Sequence, residues 1–201
     1  MRRDEFDIKD TAELEKLLNE VSFGTICFND QPFPYMTGIN FVFKNGCIYF
    51  HGATQGRKYS LALKNPFVSF SAVKEYAFIP SNFFKNSACS ATQYFASAFF
   101  EGELSIEKDK IQKAAILELL MKKYQKSGKY ESLNHHVYDK MLDKTAVFRL
   151  KINSHTLKIK VGQNLSKEQI LLLIEKLKNR GEPKDLETVE LIKRVYPENI
   201  E

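Results

Sequence analysis

Residues 34–58 run PYMTGINFVFKNGCIYFHGATQGRK. Two apolar, aromatic-rich runs flank Asn45-Gly46, a dipeptide that tolerates positive φ at both central positions of a tight turn. The pattern predicts a strand over Tyr35–Phe43 and a return strand over Cys47–His51. Gly52 to Lys58 then breaks the second strand and leads into a short helix over Tyr59–Lys64, stopped by Asn65-Pro66. Gly52 and Gly56 let backbone amides approach a ligand, Thr54 adds a hydroxyl, and Arg57 and Lys58 bring positive charge to a helix N-terminus. Together these suit an anion, most naturally a phosphate. Taken alone, the same residues also fit a surface turn with two solvated cations. The chain has no GxxxxGK(S/T) loop and no GxGxxG after a strand, so neither a P-loop nor a dinucleotide fold is supported.

Outward from this hairpin, Leu14, Leu17, Leu18 and Val21 share one face of a helix over Asp10–Val21, with Asp10 or Thr11 able to cap it. A strand follows near Phe23–Phe28. Phe67–Val73 alternates as a strand that Tyr76–Ile79 can continue, ahead of a Ser- and Asn-rich loop over Ser81–Ala91 holding Phe83 and Phe84. That pair covers either a ligand pocket or the seam of a dimer, or serves only the loop's own packing. Gln93–Ser105 is expected to be a long strand interrupted near Gly102. Lys108–Lys126 is the strongest helix, with Leu117, Leu120, Met121 and Tyr124 along one stripe. Thr145–Ile152 and His155–Val161 suggest a last pair of strands with His155 at their turn. Ser166-Lys167-Glu168-Gln169 is a capping box before a helix that Gly181 and Pro183 end, and Leu186–Val195 forms a last short helix. The expected fold class is mainly β (α+β).

The 201 residues are 43% hydrophobic and 27% charged, as in a folded domain, and 16 Phe and nine Tyr suit pleated sheets. A net charge of +5, from 30 basic and 25 acidic residues, is too interspersed for a nucleic-acid stripe. No apolar run approaches the roughly 18 residues of a membrane span, and Met1 to Glu5 lacks the apolar stretch of a signal peptide, so a cytoplasmic protein is expected. Cys27, Cys47 and Cys89 form no CxxC pair. Cys27 and Cys47 fall in apolar strands as small core residues, and Cys89 lies in a polar loop. The adjacent His135 and His136 have no third ligand at metal-binding spacing, so no metal is expected.

In its motifs the chain resembles the pyridoxamine 5′-phosphate oxidase-like FMN-binding split-barrel family, especially its 5-nitroimidazole reductase-like subgroup. The likeness is carried by Met1-Arg2-Arg3, Pro34-Tyr35 through Asn40-Phe41, Tyr49-Phe50-His51-Gly52 and the following Lys58. Further on it takes in Ala88-Cys89, the strand Phe95-Ala96-Ser97 through Gly102, and more loosely Gly162 to Ser166 and Arg180-Gly181. Phe95 and Ala96 stand where the family usually has Tyr-Arg, which makes the substrate side more apolar.

The resemblance implies an FMN-binding split β-barrel with peripheral helices over residues 1–161, and a C-terminal helical extension over 162–201 packed on the same domain. It implies FMN as cofactor: Arg57 and Lys58 on the phosphate, His51 and Gly52 beside the ribityl chain or ring, and Met36, Thr37, Gly38 and Asn40 facing the isoalloxazine. Ser97 would approach from the other subunit of a homodimer. The flavin performs the redox step, so no protein acid, base or nucleophile is assigned as catalytic. The expected function is an oxidoreductase reducing small electron-poor, for example nitroaromatic, compounds with electrons from a reduced nicotinamide, without nucleic-acid or membrane partners. The alternatives are a non-enzymatic flavin-binding regulator or sensor and a haem-handling split-barrel protein.

Overall fold

Asn45 and Gly46, with φ of 51° and 72°, close the central hairpin in the left-handed region that the dipeptide favours. A computed structural model describes residues 3–84, 87–133 and 136–196; Met1, Arg2 and His135 lie outside them. In chain order the elements are β1 (Asp7–Ile8), α1 (Thr11–Glu20), β2 (Gly24–Phe28), β3 (Tyr35–Ile39), β4 (Val42–Lys44), β5 (Cys47–Ala53), α2 (Arg57–Lys64), β6 (Phe67–Ile79), β7 (Thr92–Glu107), α3 (Lys110–Tyr124), α4 (Asp139–Lys144), β8 (Thr145–Lys160), α5 (Lys167–Arg180) and α6 (Asp185–Val195). The sheet order is β3-β2-β6-β7-β8-β5-β4, with β1 paired to β8. The antiparallel strand pairing with added helices is the split-barrel fold class that the resemblance implies.

The chain divides into two compact units, and β6, β7 and β8 contribute residues to each. The first to be described holds residues 10–72 and 98–156. Asp10 caps α1 by accepting from the Ala12 amide at 2.8 Å, and Leu14, Leu17 and Leu18 are buried beneath it. The core is aromatic. Phe50 stacks on Phe148 at 4.7 Å, and Phe41 meets Phe70 edge-on at 5.0 Å, arrangements worth about 0.5–1.5 kcal/mol each beyond area burial.

Five expectations are corrected in this unit. The strand over Tyr35–Phe43 is two strands, because β3 pairs with β2 whereas β4 pairs with β5. At the break the Tyr124 hydroxyl accepts from the Phe41 amide at 2.9 Å and lies 2.9 and 2.6 Å from the Phe41 and Ser22 carbonyls, replacing ladder bonds that Phe41 forgoes. β7 runs uninterrupted through Gly102, where a Cβ would lie 2.1 Å from the Lys151 carbonyl oxygen; the glycine permits close strand approach and ends nothing. β8 is likewise one strand of 16 residues, so His155 sits within it, stacked on Phe100 at 6.1 Å. The buried face of α3 is Lys113, Ala114, Ile116 and Leu120, which leaves Leu117 and Met121 half-buried and puts Tyr124 at the strand break. Cys47 is buried, but Cys27 is only half-buried because it alternates onto the outward face of β2.

The second unit holds the described residues of 3–9, 73–97 and 157–196. Ser166 and Gln169 form the capping box of α5, and Gly181, at φ 67°, closes it. The fully buried Asp185 side chain is matched by Arg180, whose Nε and Nη2 donate to its two oxygens at 2.9 and 2.5 Å. Thr188 on α6 accepts from the Ala77 amide of β6 at 2.8 Å. Phe83 packs beneath the cationic groups of Lys176 and Arg180, at 5.6 and 5.2 Å, so its ring is engaged by α5.

Candidate functional site

The turn between β5 and α2 is built on Gly56, whose φ of 94° only glycine adopts easily. Helix α2 begins one residue later, so Arg57 and Lys58 occupy its first turn instead of preceding it. Gly56 has no side chain to cap the helix, which leaves first-turn amides available to an anion.

Lys58 turns inward. Its ammonium lies 5.6 and 5.7 Å above the stacked rings of Phe50 and Phe148, and it donates to the His51 carbonyl at 3.3 Å. A Cβ on Gly52 would stand 2.8 Å from both Cε and Nζ of Lys58, so glycine makes the room this side chain occupies. Burial lowers the pKa of the Lys58 ammonium. Among the described residues no carboxylate pairs with it. His51 points outward from β5 with an edge open to solvent; desolvation by its surroundings, and secondarily Lys58, lower its pKa.

Arg57 turns the other way. Its Nε and Nη2 donate to Asp30 Oδ2 at 3.1 and 2.8 Å, and its guanidinium lies 4.5 Å over the Tyr35 ring. Hydrogen bonding from Arg57 is the largest of the effects holding the Asp30 carboxyl below its usual range. Asp30, in the turn between β2 and β3, thus ties the start of α2 to that turn.

β3 lies at one end of the sheet order, so alternate backbone groups on its free side have no strand partner. Met36 and Gly38 face outward and Thr37 is half-buried. The Phe23 ring lies over Gly38, 2.2 Å from where a Cβ would be. Asn40 sits at the strand break and donates through Nδ2 to the Ser22 carbonyl at 3.0 Å. An open groove of about 470 Å³ borders the same face, lined among others by Cys27, Asn29, Phe67, Ser69 and Glu101.

The structure therefore brings His51, Gly52 and Lys58 together over Phe50 and Phe148, and joins Arg57 to Asp30 and Tyr35. Ser97 lies on β7, half-buried, in the other unit. Asp30, Tyr35, Phe50 and Phe148 are the site's unforeseen members. Asp30 lies in the turn after β2, outside every motif, and Phe148 faces Phe50 through the β5–β8 register, which links residues 98 positions apart. Among the described residues no cluster of three His, Cys, Asp or Glu could hold a metal, and no helix is long and apolar enough to cross a membrane.

A family model described as pyridoxamine 5′-phosphate oxidase matches residues 10–159. No curated protein sequence matches the chain at a significant level. Solved structures do. A candidate 5-nitroimidazole antibiotic resistance protein from Bacteroides thetaiotaomicron superposes with a TM-score of 0.64 at 20% identity, covering 76% of this chain and 86% of its own. An FAD- and haem-binding protein from Mycobacterium smegmatis gives a TM-score of 0.68 at 16% identity over 82% and 78% of the two chains. A flavocytochrome from Azotobacter vinelandii gives 0.64 at 17% identity over 77% and 69%. At these identities the likeness is one of fold.

Proposed function

The chain belongs to the pyridoxamine 5′-phosphate oxidase family, and from that premise we propose that it is a flavoprotein that binds FMN non-covalently and reduces small electron-poor compounds, nitroaromatics among them. The observation that carries this reading is Lys58: a half-buried ammonium on an aromatic floor, beneath Gly52 and beside an uncapped helix start, with no carboxylate partner among the described residues. One such cation and one set of helix amides suit a terminal phosphate monoester.

In this reading Lys58 and the first-turn amides of α2 hold the phosphate, with Arg57 adding charge at the rim. His51 and Gly52 border the ribityl chain. The free edge of β3 at Met36, Thr37 and Gly38, with Asn40 beside it, orients the ring. Bound flavin supplies the hydride-accepting and hydride-donating ring, with a reduced nicotinamide as electron source. A homodimer would cover the outward face where Phe23, Met36 and Phe67 are 56%, 63% and 60% exposed, and would bring Ser97 of the partner subunit to the ring. Names of structural neighbours support flavin binding as such: one protein binds FAD and haem and another is a flavocytochrome.

The test is the absorption spectrum of freshly purified protein, followed by identification of the released chromophore. A yellow protein releasing FMN is expected. A colourless protein that takes up no added FMN, or one showing a haem Soret band instead of flavin bands, would refute the proposal.

A further inference from the structure

The second compact unit contains a group of cations that the flavin reading does not use. Arg3 precedes β1, and Lys158 and Lys160 stand two residues apart on β8, so their side chains leave the sheet on one face. The Arg3 guanidinium and the Lys158 ammonium each lie 5.8 Å from the ring of Phe6, which is buried. Lys158 is also 5.2 Å from the half-buried ring of Phe95. Lys160 donates to the Thr92 hydroxyl. Both lysines are half-buried.

None of the three cations is ion-paired among the described residues. Asp7 is the cross-strand partner of Lys158, yet its Oδ2 is paired with Lys9 at 2.7 Å and its buried Oδ1 makes no hydrogen bond among the described residues. Like charges held close on an apolar floor repel one another and lack full hydration. Desolvation first, then Lys158 and Arg3, accordingly lower the pKa of Lys160. A bound anion would relieve both penalties, and the Phe95 ring gives a flat apolar neighbour to whatever carries the charge.

We propose that Arg3, Lys158 and Lys160, with the Thr92 hydroxyl, form an anion-binding site for a phosphate or carboxylate group of a small molecule, with Phe95 as its apolar wall. The site is argued independently of flavin binding, and either claim can fail without the other.

Amide NMR shifts of the full-length protein, titrated with inorganic phosphate against sodium chloride at matched ionic strength, test it. Saturable shifts are expected at Lys158, Lys160 and Thr92 with phosphate and not with chloride. In Lys158→Gln/Lys160→Gln the dissociation constant read at Thr92 should rise roughly tenfold or more, as loss of charge-assisted contacts requires. Arg3→Gln, outside the sheet, should weaken binding in the same direction. Equal responses to both salts, or no saturation, would show ionic screening only and overturn the site. Shifts confined to residues 56–58 would also overturn it while leaving the flavin phosphate reading intact. Shifts at 158–160 without any at 56–58 would support this site and count against that reading.

Discussion

Arg57 is held by Asp30 before any ligand arrives: two guanidinium nitrogens, at 3.1 and 2.8 Å, share one carboxylate oxygen, and the guanidinium carbon lies 4.5 Å from the Tyr35 ring centroid. The pair is rim-exposed at Arg57, 57%, and sheltered at Asp30, 18%, so the carboxylate is the better-defined partner. An incoming phosphate must share Arg57 with it or displace it. Asp30→Asn keeps a hydrogen-bond acceptor but removes the competing charge. FMN should then bind a few-fold to about tenfold more tightly, the scale of one charge-assisted contact. Equilibrium fluorescence titration of FMN reads this directly.

Gly52→Ala tests the cradle without touching a charge. The new methyl would meet the flexible end of Lys58, at 2.8 Å, and a side-chain terminus can move aside without unfolding β5. The fold should survive with little change in thermal midpoint, while FMN affinity drops about tenfold because the ammonium is displaced. Paired thermal melts and flavin titrations separate the two effects.

Tyr124→Phe should cost stability and leave the flavin surface intact. The lost hydroxyl accepts from the Phe41 amide and reaches two carbonyls across the β3–β4 break. A part-buried amide left unpaired costs about 1–3 kcal/mol. Urea denaturation should show a lower midpoint with an unchanged slope.

The half-buried Lys123 makes stability depend on pH. Burial pushes its ammonium down to about 8 from the ordinary 10.5. The folded chain therefore binds this proton less tightly than the unfolded chain, so the penalty is fully present below pH 8 and fades as pH rises toward 10.5. The Phe41 ring, 4.0 Å away, and a 2.8 Å bond to the Leu18 carbonyl offset part of it. With solvent screening the net effect is on the order of 1 kcal/mol. Lys123→Met should raise the thermal midpoint at pH 7, and the gain should shrink by pH 10. A gain that grows with pH would contradict the assignment.

Local chemistry was legible wherever a few adjacent residues determine the outcome. Asn45-Gly46, the Asp10 cap and the Ser166–Gln169 box all formed as their side chains dictate. The failures share one cause, which is that distant partners overrode local signals. Asn153-Ser154 looks like a turn, yet Asn153 donates to Glu103 of β7 at 3.3 Å and Ser154 to Glu101 at 3.0 Å, and β8 runs straight through. The Asn40-Phe41 break depends on Tyr124, 83 positions away from Phe41. In the site, the glycines and paired cations were visible as a motif. That Lys58 turns inward and Arg57 outward depends on Phe148 and Asp30, which no spacing within the motif reveals.

Whether the Lys58 ammonium anchors a flavin phosphate is tested by comparing FMN with riboflavin, which lacks that phosphate, in wild type and Lys58→Met. Wild type should prefer FMN by roughly a hundredfold, and the substitution should remove most of that preference while leaving riboflavin affinity nearly unchanged. If Lys58→Met binds FMN as tightly as wild type, or weakens both ligands equally, Lys58 does not hold the phosphate.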